Sequence, residues 1–260
     1  MKITELTGYL EERYPAKTAE EWDNVGLLVG DDRREVQHLF LALDLTEDVL
    51  RETVETGADM ILTHHPMIFG SIRQINNHSF TGRKILELIR HGISYYAMHT
   101  NYDILGMAER SAEKLQLKDM EVLSATDTTE NGVIGFGRVG MLPQEMTLRE
   151  CGCFVKEMFK VPDVRIYGDP GRKVSRAAIC TGSGKSMIRD ALAKQAEVYI
   201  TGDIDHHTGL DAVADGLCIV DAGHFGTEYM FMQDMETELK AVFPELPITC
   251  AKVRTPYTVL

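Results

Sequence analysis

Positive charge is scarce in this 260-residue chain. Its 27 Lys and Arg stand against 40 Asp and Glu, giving a formal net charge of -13. That deficit argues against a nucleic-acid groove or an anionic membrane surface as the main partner. Long apolar runs are missing too. None approaches the roughly 20 residues that a membrane span needs. The first residues, Met1 to Glu5, enter an amphipathic stretch with no apolar core of signal-peptide type. The chain therefore reads as cytoplasmic, with no membrane part. Five cysteines (Cys151, Cys153, Cys180, Cys218, Cys250) form no C-x-x-C pair and no zinc-finger spacing. They are expected to be reduced and mostly in the core. Trp22 is the only tryptophan, and core packing near a turn is the expected role for it. No G-x-S-x-G elbow and no low-complexity tract is present.

What remains is ordinary globular material, 44% hydrophobic and 26% charged, enough for one large domain or two lobes. Short apolar runs alternate with amphipathic stretches, the pattern of an α/β fold. Thr4 is expected to cap a first helix stopped by Pro15. Leu39 to Leu43 and Asp59 to Thr63 read as buried strands, with Thr46 capping the helix between them. Further strands are expected at Ile93 to Met98, Val133 to Met141, Val164 to Tyr167, Val174 to Cys180, Val198 to Thr201, Leu217 to Val220 and Ile248 to Val253. A helix is expected from Met107 to Leu117. Thr147-Leu148-Arg149-Glu150 is a capping box opening a helix to Lys160. The polar, turn-rich stretch 121–131 is the expected boundary between a first lobe, 1–125, and a second, 126–260.

The chemistry-bearing residues fall at strand ends. Ile61-Leu62-Thr63 runs into His64-His65-Pro66, and Pro66 forbids further pairing through its missing N–H. The C-terminal ends of strands are where open α/β sheets hold ligands, and imidazole is the commonest protein metal ligand. The next strand ends at His99, followed four residues later by Asp103. In the second half the same succession leads to His206-His207, then to His224 and, four residues on, Glu228. Ala58 to Thr63 matches Ala196 to Thr201 in pattern. Self-similarity in this order points to a duplicated α/β unit, with two related lobes and a metal site in the cleft between them. On a helix, residues i and i+4 share a face. Six of nine histidines sit at these places, and His plus carboxylate without thiolate suits Zn, Fe, Mn or Co.

Two glycine motifs are decoys. Gly135-Phe136-Gly137-Arg138-Val139-Gly140 fits a dinucleotide fingerprint, but the glycines lie inside an apparent strand with Leu142-Pro143 after it. Gly182-Ser183-Gly184-Lys185-Ser186 resembles the end of a P-loop, but Ile179 stands where the motif needs its first glycine. A plain strand-to-helix turn is expected there.

Five segments together resemble the Nif-three-like dinuclear metal-centre proteins, also called GTP cyclohydrolase 1 type 2 homologues. They are Trp22 to Leu27, Thr63 to Pro66, His99 to Asp103, Thr201 to His207 and Asp221 to Glu228. The resemblance implies two related, intertwined α/β lobes, two divalent metal ions per chain and a homohexameric ring. It implies His64, His65, Asp103, His224 and Glu228 as the ligands. It leaves His99, Asp203, His206 and His207 around the ions or facing a substrate. His99 and His207 are the candidates for catalytic proton transfer. Some relatives carry a domain inserted mid-chain, and this chain has no room for one. The implied activity is metal-dependent hydrolysis of a nucleotide, a phosphate ester or a cyclic amide. The rival is a non-catalytic metal carrier or regulatory ring.

Overall fold

The computed structural model describes residues 1–130, 132–253, 255 and 257. The elements run α1 (Ile3–Arg13), β1 (Gly26–Val29), β2 (Leu39–Ala42), α2 (Glu47–Thr56), β3 (Met60–Thr63), α3 (Phe80–His91) and β4 (Ser94–Ala97). A three-residue helical turn, α4 (Thr100–Tyr102), leads through a π-helical turn at Asp103–Met107 into α5 (Ala108–Lys114). Then come β5 (Lys118–Thr129), β6 (Gly132–Thr147), α6 (Leu148–Phe159), β7 (Arg165–Tyr167) and β8 (Lys173–Ser183). The remainder is α7 (Ile188–Ala193), β9 (Val198–Gly202), α8 (His206–Ala214), β10 (Cys218–Asp221), α9 (His224–Glu228), α10 (Met230–Val242) and β11 (Ile248–Cys250).

These elements make a mixed α/β fold with two sheets, in two units. One unit comprises Met1–Tyr102 with Tyr229–Arg254, the other Asp103–Glu228 with Thr255–Leu260. The expected division at 125/126 is thus not how the chain partitions. Residues 103–125 fall in the second unit, and the chain returns to the first after Glu228. Both crossings lie within helical segments, at Tyr102–Asp103 and next to Tyr229. The stretch 121–131 is no linker. Residues up to Thr129 form most of the 12-residue strand β5, and Asn131 lies outside the described residues. An edge strand exposed along most of its length carries polar residues, as a loop does. That is why its composition misleads.

The first unit's sheet has the order β1-β4-β3-β2-β11. Strands β4, β3, β2 and β11 are parallel, and β1 closes one edge antiparallel to β4. All residues of β2, β3 and β4 are buried. That explains their unbroken apolar runs, since a parallel sheet is covered on both faces. The helices between them are fixed at both ends. The Thr46 hydroxyl accepts from the Val49 N–H, and Gly57 ends α2 in the left-handed region at φ 70°. Helix α1 begins two residues earlier than Thr4 would place it, with Lys2 at the cap position. Ile3, Leu6 and Leu10 make its buried face.

The second unit's sheet has the order β5-β6-β8-β9-β10-β7. Here β8, β9 and β10 are parallel, and the other pairings are antiparallel. The glycines of the apparent dinucleotide motif lie inside β6. A Cβ at Gly135 would come within 2.0 Å of the Ser124 carbonyl oxygen on β5. The motif therefore serves close strand packing, not a cofactor. Thr147 and Glu150 form the expected capping box. Among the described residues, no helix is long and apolar enough to cross a membrane.

Each sheet contains three parallel strands joined by helices, followed directly by a helical segment. The third strand of each trio has an antiparallel partner, β1 beside β4 and β7 beside β10. Leu62, in the middle of β3, is fully buried. Leu62→Ala is expected to cost about 3 kcal/mol through lost transfer energy and the cavity left behind. Equilibrium urea unfolding measures this, and a loss below about 1 kcal/mol would contradict the core placement of β3.

Candidate metal centre

In the first unit the β3 ladder does not stop at Thr63. The His64 N–H reaches the Ala42 carbonyl and the His65 N–H the Leu43 carbonyl, at 3.3 and 2.9 Å. The backbone is then clamped. The Thr63 and Tyr95 hydroxyls lie 2.8 and 3.0 Å from the His65 carbonyl oxygen, and the Met67 N–H donates to the Tyr95 hydroxyl. Burial pushes the Tyr95 phenol up to about 12, so it stays protonated for this task. Pro66, with no N–H to offer, sits between these anchors.

The side chains are held as firmly. His64 is fully buried, and its Nδ1 lies 2.9 Å from the Met98 carbonyl oxygen. A carbonyl only accepts, so Nδ1 carries the proton and Nε2 the lone pair. His65 Nδ1 meets Asp44 Oδ1 at 2.9 Å, and His99 Nδ1 meets Asp23 Oδ1 at 2.9 Å. Carboxylates impose the same tautomer. The three rings lie within 5.5 Å of one another by centroid. One nitrogen from each forms a group spanning less than 4.8 Å. Tyr102 and Phe231 pack edge-on and tilted against His64. Asp23 also accepts from the Thr100 N–H and hydroxyl. Burial would raise its pKa, but the His99 and Thr100 hydrogen bonds prevail and hold it at about 2.

In the second unit His224 opens α9 and Glu228 closes it, so the i, i+4 spacing is realised. His224 Nε2 lies 3.0 Å from Glu228 Oε2. His224 Nδ1 meets Asp203 Oδ2 at 2.9 Å. Asp203 holds φ at +57°, a conformation that aspartate tolerates better than most residues and that recurs at functional sites. Asp221 fixes the neighbouring turn by accepting from the Ile204 and Gly223 N–H groups, and Arg165 pairs with it. Asp103 begins the π-helical turn, a distortion frequent at functional sites. Asp103 and Glu228 both act on the Cys180 thiol. Burial first, then these two carboxylates, push it up to about 12. Cys180 is thereby held as a neutral thiol beside two carboxylates.

The floor beneath Glu228 is Gly182. Its φ is +65°, and a Cβ there would come within 2.1 Å of Glu228 Oε1. The Gly182 N–H donates to the Thr227 hydroxyl and the Gly184 N–H to the Thr201 hydroxyl. Those two N–H groups of the P-loop-like turn are thus directed at threonines.

The structure brings together His64, His65 and His99 in one unit, and His224 with Glu228 in the other. Asp103 shares the Cys180 surroundings with Glu228. His206 and His207 stand apart. They are exposed in the first turn of α8, stacked edge-on at 5.2 Å. Among the described residues they join no group of three or more metal donors. Asp44 carries a role that its sequence position hides. It follows β2 directly, and only the β2–β3 pairing puts it beside His65. Trp22, expected in the core, is 59% exposed. Of the cysteines, Cys151 and Cys218 are fully buried, Cys180 and Cys250 partly so, Cys153 is exposed, and all five are free.

A model of the Duf34/NIF3 (NGG1p interacting factor 3) family matches residues 1–256. A Clostridium acetobutylicum protein named GTP cyclohydrolase 1 type 2 homolog is 34% identical over 250 residues, covering 95% of this chain and 93% of its own. One of the same name from Clostridium perfringens is 35% identical over 242 residues, covering 92% of each. A Staphylococcus aureus crystal structure superposes with a TM-score of 0.89 at 29% identity, over 100% of this chain and 99% of that one.

Two outcomes test the geometry. Gly182→Ala must push Glu228 aside, whereas Gly216→Ala, also at positive φ (+92°) but with nothing within 4 Å of the added carbon, need not. Both should lose about 1 kcal/mol to backbone strain, and only Gly182→Ala should lose bound metal in elemental analysis. Equal metal contents would refute the floor role. The second outcome concerns Asp23. A depressed carboxylate pKa adds stability above its unfolded value of 3.8 that is lost as pH falls through about 2. After allowance for screening, wild type should exceed Asp23→Asn by about 1–2 kcal/mol near neutral pH. The gap should close between about pH 4 and pH 2. A pH-independent gap would mean that the Asp23 charge is not what stabilises the contact.

Proposed function

The chain belongs to the Duf34/NIF3 family, and on that premise we infer that it is a dinuclear divalent-metal protein that hydrolyses a nucleotide, a phosphate ester or a cyclic amide. His64, His65, Asp103, His224 and Glu228 are the residues that would hold the ions. The donor set fits such ions, being imidazole and carboxylate with no thiolate. The observation that carries the reading is the common tether. His64, His65, His99 and His224 each engage a carbonyl or carboxylate through Nδ1, the arrangement that orients ligating imidazoles. A histidine merely satisfied in a core needs no such agreement with three others.

When bound, divalent ions supply Lewis acidity and lower the pKa of water. The chain's residues supply the rest. Three neutral imidazoles and two carboxylates against two divalent ions leave net positive charge, which favours an anionic group despite the acidic surface. His99, aligned by Asp23, is the residue placed to hold or pass a proton at Nε2. His207 is the weaker candidate for that task, since it is exposed and outside the donor groups. The name of the curated relatives points to GTP, and no residue described here selects guanine. The matching successions β2-α2-β3-α3-β4 and β8-α7-β9-α8-β10 support descent from a duplicated unit. A homohexameric ring in the cytoplasm completes the reading and rests on the resemblance to this family.

Elemental analysis of protein purified without added metal should find about two ions per chain, with turnover in a hydrolase screen of nucleotides and phosphate esters. Fewer than one ion, not restored by incubation with Zn, Mn or Fe, would overturn the dinuclear assignment. His224→Ala should remain folded while losing metal and turnover. If His224→Ala unfolds, and no substrate is turned over by the wild type, the metal is structural and the carrier or scaffold reading replaces the hydrolase.

A further inference from the structure

Trp22 and Phe69 are large, apolar and out in solvent, 59% and 55% exposed. Scattered exposed aromatics are ordinary and need no explanation. These two are not scattered. Both meet the same imidazole, His99, nearly perpendicular to it, with centroids at 5.8 and 6.0 Å and interplanar angles of 74° and 84°. His99 in turn belongs to the His64/His65/His99 group.

The loop that carries Trp22 is pinned on both sides of it. The Glu20 N–H donates to the Thr100 hydroxyl, and Asp23 accepts from His99 and Thr100. Asn24 Nδ2 donates to the Ile68 carbonyl at 2.8 Å. That last bond ties the Trp22 loop to the residue just before Phe69. The two aromatics are therefore held by rigid backbone next to His99, in exposed positions that the hydrophobic effect alone would not select. Rigid aromatic faces at solvent, beside an imidazole that can donate or accept, suit a flat ring with polar edges.

We propose that Trp22 and Phe69 form a stacking subsite for a planar heterocycle, with His99 meeting its polar edge. The proposal rests on the functional reading above and narrows its substrate class to molecules with an aromatic or conjugated ring. A ringless phosphate ester lacks the group this subsite takes.

Trp22 is the sole tryptophan, so its fluorescence reports on the subsite directly. The metal-loaded protein is titrated with guanosine, adenosine and uridine, and with ribose 5-phosphate as the ringless control. Nucleosides are expected to quench emission saturably, and ribose 5-phosphate is not. Phe69→Leu should weaken nucleoside binding about tenfold, with melting temperature and metal content unchanged. Phe80→Leu, equally exposed at the start of α3, should bind as wild type does. Calorimetry on Trp22→Leu should show a similar loss without relying on the reporter.

Absence of saturable quenching at millimolar nucleoside overturns the proposal, and so does equal quenching by ribose 5-phosphate. It also fails if Phe69→Leu leaves affinity intact, or if that variant instead alters the sedimentation coefficient, which would make the aromatics a contact between copies. Metal content is read in the same samples. Ions bound without ring binding sink the subsite and leave the metal reading standing, and ring binding without ions does the reverse.

Discussion

The Nδ1 tether is the constraint on which the candidate centre depends. An imidazole has two nitrogens, and the partner of one decides the chemistry of the other. Here His64 is held by a backbone carbonyl, and His65, His99 and His224 by carboxylates. The tethers come from places the fold already fixes. Met98 follows β4, Asp44 follows β2, Asp23 sits in the pinned loop before β1, and Asp203 follows β9. Sheet register thus sets ring orientation before any ligand arrives, the preorganisation that a rigid first shell of donors requires.

The path of the chain adds a second constraint. The second unit's main segment runs from Asp103 to Glu228, so its first and last residues are both candidate ligands. Neither carboxylate sits on an ordinary loop. Asp103 opens a π-helical turn, and Glu228 ends a five-residue helix with α10 starting two residues later. Glu228 is further confined by the absence of a side chain at Gly182. A glycine that looks in sequence like a phosphate-binding residue is needed instead because a carboxylate occupies the place of its missing Cβ.

Much of this was legible in the sequence, and the failures share a cause. Buried parallel strands announce themselves as apolar runs, and these mark β2, β3, β4, β9 and β10 to within a residue or two. Caps with specific chemistry, Thr46 with Gly57 and Thr147 with Glu150, marked their helices. The five-ligand set came from a resemblance, and the structure pairs His224 with Glu228 and His64 with His65 as the spacing suggests. The misses were residues whose environment is set by distant partners. β5 carries a loop-like composition because most of its residues face solvent. Asp44 has no local motif, and pairing of two strands puts it beside His65. Trp22 reads as a core residue because most tryptophans pack there, but the hydrogen bonds of Asp23 and Asn24 hold its loop at the surface.

The repeat itself is read differently once register replaces spacing. Thr63 pairs with Ala97, and Thr201 with Asp221, at the same point in their respective trios of parallel strands. The residues level with His64 and His65 are then Gly202 and Asp203, not His206 and His207. Matching the two adjacent histidine pairs instead falls four residues too far, on the exposed first turn of α8. The corrected alignment gives the two strand ends different jobs. In the first unit the position after the strand supplies imidazoles and takes its tethers from elsewhere, the Met98 carbonyl and Asp44. In the second the same position supplies the tether, Asp203, and the imidazole comes from the following helix as His224. A donor and its orienting partner have exchanged places between two halves of similar topology. Glycine at 202 follows from this exchange, because a Cβ there would come within 2.4 Å of the His224 backbone nitrogen, so the strand end must stay bare for His224 to reach Asp203.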